Sequence, residues 1–176
     1  MITGDIATIA TTTTQPPPLL CSVDHTATVE HVYPADGLCD LLIYTHVRVD
    51  NSSTVTSLNN DSYTAFISVC DGYANTSCGL SFDSRYADKE VFENQTTLEN
   101  LRGLPPSMKH MAIMNIYGDT RRLALLALTL PDVLNALHSI RGGDQTRKII
   151  MGVGTFYYLQ PDSWKSIEDT ITGMLL

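Results

Sequence analysis

The sequence predicts an α/β fold in which parallel strands alternate with helices. The clearest strand is Leu38–Val49, LCDLLIYTHVRV, which is apolar on both faces and flanked by turn residues, as expected for a strand covered on two sides. From residue 38 onward, strand-like runs alternate with helical patterns. This alternation is typical of βαβ units in one parallel sheet.

Two folds are built on such a sheet, the doubly wound open sheet and the (β/α)8 barrel, and the alternation fits both. A complete barrel takes about 200–250 residues. The 176 residues of this chain have room for one domain and about five strands. We therefore expect a partial (β/α)8 barrel of about five parallel strands alternating with helices.

The predicted strands are short apolar runs bounded by turn residues. They are Leu19–Val23, Leu38–Val49, Gly79–Asp83, His110–Tyr117 and Lys148–Phe156. Residues 26–37, between the first two strands, form a connection too short to predict a helix.

Two helices are predicted in the first half of the chain. The first follows an N-cap within Asn60–Ser62 and has apolar residues at helical spacing, which are Tyr63, Phe66, Ile67, Cys70 and Tyr73. The second, Asp88–Arg102, is predicted as one helix that ends before Gly103.

Two further helices are predicted in the second half. Asp119–Ile140 is rich in Leu and Ala, and Pro131 predicts a kink or a break near Thr129–Leu130. Asp162 or Ser163 would cap a last helix that runs through Met174.

The start of the chain differs in composition from the rest. Residues 1–18, MITGDIATIATTTTQPPP, predict a disordered Thr/Pro-rich linker, so the folded domain is expected at 19–176. The linker lacks the basic and apolar regions of a secretory signal. We expect a targeting or anchoring segment upstream of this chain.

The charge of the chain excludes some partners. With 19 acidic and 11 basic residues the net charge is −8, which argues against binding to nucleic acid or to anionic membranes. No run of about 18 apolar residues is present, so membrane attachment is expected only through a segment outside this chain.

Sequons and cysteines favour an extracellular location. Four N-x-[ST] sequons predict glycosylation at Asn51, Asn60, Asn75 and Asn94. The even number of cysteines fits two disulfides. Cys21 would face Cys39 if the first two strands are neighbours, and Cys70 and Cys78 bracket one turn. Two other pairings remain open.

Ligand-binding residues are expected where parallel strands end. The candidates are Asp24, His46, Asp83, Tyr117, Asp119, Tyr157 and Tyr158, with His25 and Arg85 beside them. Carboxylates that bind hydroxyls and aromatic rings that stack on sugars would suit a carbohydrate. Taken singly, an Asp at a strand end is more often a cap for the following turn.

Other kinds of site are not indicated. The sequence contains no phosphate-binding P-loop, no G-x-S-x-G elbow and no C-x-x-C pair, and its five histidines show no metal-ligand spacing. We therefore expect no cofactor and no metal site.

The stretch Leu19–Val47, LLCSVD…YPADGLCDLLIYTHV, resembles the opening of family 18 glycoside hydrolases, the chitinases and chitinase-like lectins. In outline GLSFD, MNIY and IMGVGTFYY extend the likeness to uncharacterised secreted arthropod proteins with a chitinase-like barrel. Leu41–Tyr44 matches the second strand of the family. The resemblance implies a disulfide between Cys21 and Cys39 and a glycan as ligand.

The sequence departs from that family where catalysis would occur. The family carries its acid in an Asp-x-x-Asp-x-Asp-x-Glu run at the end of the fourth strand. The corresponding segment here, Met114–Asp119, has no such run and no glutamate. Without the acid that protonates the leaving oxygen, hydrolysis is not expected.

The sequence therefore predicts a secreted, non-catalytic chitinase-like protein that binds a glycan or a protein partner through the strand ends. Two alternatives remain. One is an active glycosidase, on chitin or N-acetylglucosamine oligomers, whose acid lies at an unusual position such as Asp119 or beyond residue 176. The other is a fragment without independent function.

Overall fold

The computed structural model describes residues 17–28, 32–118, 120–141, 144 and 146–155. Six strands form one sheet: β1 (Leu20–Asp24), β2 (Leu41–Val49), β3 (Val55–Ser57), β4 (Ser77–Phe82), β5 (Met108–Gly118) and β6 (Ile149–Thr155). The helices are α1 (Asn60–Asp71), α2 (Lys89–Glu93), α3 (Gln95–Arg102) and α4 (Thr120–Arg141). None of the helices described is both long and apolar enough to span a membrane.

Five of the strands are parallel and lie in the order β1-β2-β4-β5-β6, which is their order along the chain. A doubly wound sheet would reverse direction at a switch point, whereas a (β/α)8 barrel adds each strand on the same side. The predicted partial (β/α)8 barrel is therefore confirmed, and the described part of the chain is a parallel half-barrel of five strands alternating with helices.

The short strand β3 was not predicted. It pairs antiparallel with the end of β2, and the turn between them is held by the carboxylate of Asp50. Asp50 Oδ1 accepts hydrogen bonds from the backbone N–H groups of Ser52 and Thr54, at 2.8 and 3.0 Å. This hairpin places the end of β2 beside the residues that follow β3.

Two helix boundaries differ from the prediction. The N-cap of α1 is Asn59 instead of a residue within Asn60–Ser62, because the Asn59 side chain accepts from the N–H groups of Asp61 and Ser62. The predicted helix 88–102 is divided at Asn94, whose extended backbone ends α2 and whose side chain caps α3.

The other helix predictions have mixed outcomes. Helix α4 continues through Pro131, so the predicted break does not occur. The predicted last helix, 162–174, and residues 1–16 of the predicted linker lie outside the described residues.

The core lies between the sheet and the helices. Tyr44 of β2 is fully buried and packs on Phe66 of α1, with ring centroids 5.2 Å apart. Phe82 of β4 meets Phe92 of α2 edge to face at 5.1 Å. Because alternate strand residues point to one face, these rings fix which side of each strand is covered by helices.

Where β4 pairs with β5, the opposite face of the two strands carries small or polar residues. Ser81 and Ala112 are fully buried there, and His110 is 2% exposed. Gly79 of β4 pairs with His110 of β5, and a Cβ at Gly79 would lie 2.5 Å from the His110 carbonyl oxygen. Glycine is therefore required for the two strands to pack at this distance.

Two disulfides connect these elements. Cys21 of β1 is bonded to Cys39, just before β2, and Cys70 of α1 is bonded to Cys78 of β4. Of the three pairings that the cysteine spacing left open, the structure has this one. Its Cys21–Cys39 bond is the one that the family resemblance implied.

Candidate functional site

A cleft of about 300 Å³ lies at the carboxyl ends of β1, β2 and β4. Strands β1 and β2 and the turn after β1 contribute Asp24, His25, Thr45, His46, Val47 and Arg48. The segments after β3 and β4 contribute Leu58, Asp83, Arg85 and Tyr86. Its volume is at the lower end of the range for small-molecule pockets, about 300–1,000 Å³.

Three of the predicted site residues, Asp24, His46 and Asp83, line this one cleft. Their role in binding stays a prediction. Tyr117 is described only by its backbone position, near the end of β5. The remaining candidates, Asp119, Tyr157 and Tyr158, lie outside the described residues.

Asp83 is held by two neighbours and is 9% exposed at its side chain. The Arg85 guanidinium donates to both carboxylate oxygens, Nε to Oδ1 at 3.0 Å and Nη2 to Oδ2 at 2.6 Å. Asn115 of β5 donates from Nδ2 to Oδ1 at 2.9 Å. Burial alone would raise the pKa of Asp83, but these hydrogen bonds lower it to about 2. The carboxylate therefore stays ionised and cannot serve as a general acid near neutral pH.

Asp24 is also held in its ionised form. Its Oδ1 accepts hydrogen bonds from the hydroxyl of Thr26 at 2.5 Å and from the N–H of Thr26 at 2.8 Å. These two bonds lower the pKa of Asp24 below its usual value. Asp24 thus contributes a fixed negative charge at the β1 side of the cleft.

His46 forms the inner wall of the cleft through a bond to the neighbouring strand. Its Nδ1 lies 3.1 Å from Ser81 Oγ, and Ser81 Oγ accepts from the backbone N–H of Met114 at 3.0 Å. The Ser81 O–H is then available to donate to Nδ1, which favours the tautomer with its proton on Nε2. Burial lowers the pKa of His46, so the ring is neutral at pH 7.

Two arginines contact the aromatic ring at the cleft entrance. The guanidinium carbons of Arg48 and Arg85 lie 5.8 and 5.7 Å from the centroid of Tyr86, which is 47% exposed. These distances are within the range of cation–π contacts. The ring is partly open to solvent and available to a ligand.

The prediction missed Arg48, Tyr86 and Asn115. A charged residue near the carboxyl end of an otherwise apolar strand was a signal for Arg48. No signal identified Asn115, because its contact with Asp83 depends on the packing of β5 against β4.

The chemistry of the cleft is that of a polar binding site with an aromatic edge. Among the described residues of the cleft, both carboxylates are ionised and the half-buried His46 has a lowered pKa, so these groups offer hydrogen bonds and negative charge. Within the described part of the chain, no three His, Cys, Asp or Glu side chains come together to hold a metal ion.

Comparison with known proteins places the fold. No protein-family model matches the sequence, and neither does any curated protein. Among solved structures, a chitinase from Rhizomucor miehei is similar, with a TM-score of 0.51 and 12% identity over 72% of this chain and 37% of that one.

An immunomodulatory active chitinase from Trichuris suis also matches, with a TM-score of 0.46 and 13% identity over 79% of this chain and 44% of that one. The chain thus spans less than half the length of either chitinase. At 12% identity, the likeness to the Rhizomucor protein shows a chitinase-like fold.

Proposed function

We propose that this chain is a secreted, non-catalytic chitinase-like protein that binds a glycan in the cleft at the ends of β1, β2 and β4. The observation that carries the proposal is the electrostatic state of the cleft. Its two carboxylates, Asp24 and Asp83, are both held ionised by hydrogen bonds. A cleft in this state supports binding of hydroxyls rather than cleavage of a glycosidic bond.

Hydrolysis needs an acid that protonates the leaving oxygen, usually a carboxyl group whose pKa is raised. The two carboxyl groups that line the described part of the cleft, Asp24 and Asp83, have lowered pKa values. In addition, the sequence has no glutamate between Glu99 and Glu168, an interval that includes all of β5. Asn115 of β5 is engaged with Asp83 as a hydrogen-bond donor. These facts support a binding function.

The residues at the cleft entrance support a sugar as ligand. Tyr86 and Leu58 are exposed apolar groups, 47% and 73%, on segments that follow different strands. The same cleft is also lined by polar groups that can donate or accept hydrogen bonds, among them Asp24, Thr45 and His46. A sugar presents apolar ring faces and polar edges, which match this combination.

Secretion is supported by the covalent features of the chain. Both disulfides connect separate elements, and such bonds persist in oxidising compartments. All four sequon asparagines, Asn51, Asn60, Asn75 and Asn94, are exposed in the folded chain.

Isothermal titration of the purified protein with chitin oligosaccharides tests this function. We expect saturable heat, and the variant Tyr86→Ala should weaken binding by about three- to tenfold, because it removes the aromatic face. Leu38→Ala, at a residue that is 64% exposed but outside the cleft, should bind like the wild type.

Two results would contradict the proposed function. Absence of heat at millimolar oligosaccharide would argue against glycan binding of this type. Release of fluorophore from a fluorogenic chitobioside, lost in Asp119→Asn, would show an active glycosidase instead.

A further inference from the structure

Building on the proposed glycan-binding function, we propose that the cleft selects an acidic saccharide, whose carboxylate is bound by the guanidinium of Arg48. The position of Arg48, its neighbours and the charges around Tyr86 favour a sugar that carries a carboxylate over a neutral one.

Arg48 lies near the carboxyl end of β2, where its exposed side chain lines the cleft and its guanidinium packs on Tyr86. In the part of the chain that the structure describes, Arg48 forms no ion pair within 4.0 Å. The nearby Asp50 feels its charge, but Asp50 Oδ1 is occupied by Ser52 and Thr54 in the β2–β3 turn. Asp50 thus attracts Arg48 only at longer range, and the N–H groups of the Arg48 guanidinium can bind an anionic ligand.

Arg85 differs from Arg48 in this respect. It contacts the same ring, but its guanidinium is bound through Nε and Nη2 to the carboxylate of Asp83. Two guanidinium groups therefore approach one aromatic ring, and among the described residues only Arg85 has a carboxylate within ion-pair distance. An anionic group beside Arg48 would offset the second charge.

The planar guanidinium of Arg48 favours a carboxylate over a simple hydroxyl. It lies 5.8 Å from the centroid of the Tyr86 ring, and its N–H edge can form a bidentate bond to a carboxylate. The neighbouring ring of Tyr86 can contact the sugar that carries the acid. Arg48 and Tyr86 would thus bind the carboxylate and the sugar ring of the same ligand.

Asp24 sets the orientation of such a ligand. Its ionised carboxylate lies on the β1 side of the cleft, where it repels an anion, while Arg48 on β2 attracts one. The acidic group is therefore directed toward Arg48 and Tyr86, and the hydroxyl groups toward Asp24. An uncharged chitin oligomer would not require this separation of negative and positive charge across the cleft.

Two tetrasaccharides test the inference by calorimetry with the full chain. One is uncharged N-acetylchitotetraose, and the other is a hyaluronan tetrasaccharide, in which N-acetylglucosamine alternates with glucuronate. We expect the acidic sugar to bind at least about tenfold more tightly, as a charge-assisted hydrogen bond allows. Arg48→Gln should lower the affinity for the acidic sugar by about tenfold and that for the neutral sugar by less than about threefold.

Two further variants separate local recognition from net charge. Arg102→Gln makes the same change in net charge on α3, outside the cleft lining, and should leave both affinities unchanged. Arg48→Lys keeps the charge but loses the planar fork, and it should recover only part of the affinity for the acidic sugar.

The outcomes distinguish this inference from the function on which it depends. If the neutral sugar binds as tightly as the acidic one, or if Arg48→Gln weakens both equally, the acidic specificity is wrong and the glycan-binding function stands. If neither sugar binds, the proposed function itself fails and the inference fails with it.

Discussion

Replacing Gly79 with alanine is expected to destabilise the protein by about 3 kcal/mol or to prevent folding, because overpacking between two paired strands cannot be relieved cheaply. The added Cβ would lie 2.5 Å from the carbonyl oxygen of His110 and 2.6 Å from its Cβ. Strand β5 cannot move away easily, since it also pairs with β6 on its other side. Urea unfolding followed by circular dichroism measures the loss.

The matched control is Gly103→Ala at the end of α3. Gly103 has a φ of −79°, which any residue adopts, and a Cβ there would meet its nearest neighbour at 3.4 Å. We expect this variant to stay within about 0.5 kcal/mol of the wild type. If Gly79→Ala were equally well tolerated, the close pairing of β4 with β5 would be wrong.

The second large effect is a loss of stability in acid that originates at His110. Burial, with Lys109 and Lys148 nearby, lowers the pKa of His110 from 6.5 to about 4, although Asp144 opposes the shift. Its Nδ1 accepts the backbone N–H of Lys148 at 3.0 Å, so protonation there would remove that acceptor. Its buried Nε2 has no partner among the described residues.

The direction of this pH effect follows from the thermodynamic linkage between proton binding and folding. Because the pKa is lower in the folded protein, the unfolded chain binds the proton first as the pH falls below 6.5. The stability contributed by neutral His110 is present above pH 6.5 and is lost as the pH falls toward 4, by about 3 kcal/mol. Asp83, whose folded pKa is about 2, adds its own loss only below its usual value of 3.8.

Urea unfolding between pH 7 and pH 4 measures this dependence. The wild type should lose stability steadily over this interval, whereas His110→Gln, which does not titrate, should have a lower but much flatter profile. A wild-type profile as flat as that of the variant would show that His110 is not held neutral by burial.

The sequence was sufficient to predict the order and type of most elements. Strong apolar runs such as Leu38–Val49 and the alternation that follows them fix a parallel sheet, because burial on both faces leaves few other arrangements. The three residues of β3, Val55–Ser57, could not be predicted, since a run this short shows no periodicity. The division at Asn94 was missed because Asn within a helical pattern does not by itself reveal a cap.

Only part of the candidate site could be predicted from the sequence. Ligands of parallel α/β folds bind at the carboxyl ends of the strands, which is why Asp24, His46 and Asp83 were candidates. These three residues line one cleft. This rule could not tell that Arg85 and Asn115 keep Asp83 ionised, because those contacts depend on side-chain geometry across β4 and β5. The protonation state of each side chain, which cannot be read from its position in the sequence, determines which chemistry the cleft supports.

A titration followed by amide chemical shifts in an assigned ¹H–¹⁵N spectrum tests most directly whether the ends of β1, β2 and β4 form one glycan-binding cleft. With N-acetylchitotetraose or the hyaluronan tetrasaccharide, we expect shifts that saturate together at Asp24, His46, Arg48, Asp83 and Tyr86. Shifts confined to the opposite end of the sheet, around Leu19 and Leu38, or no shifts with either sugar, would contradict this expectation.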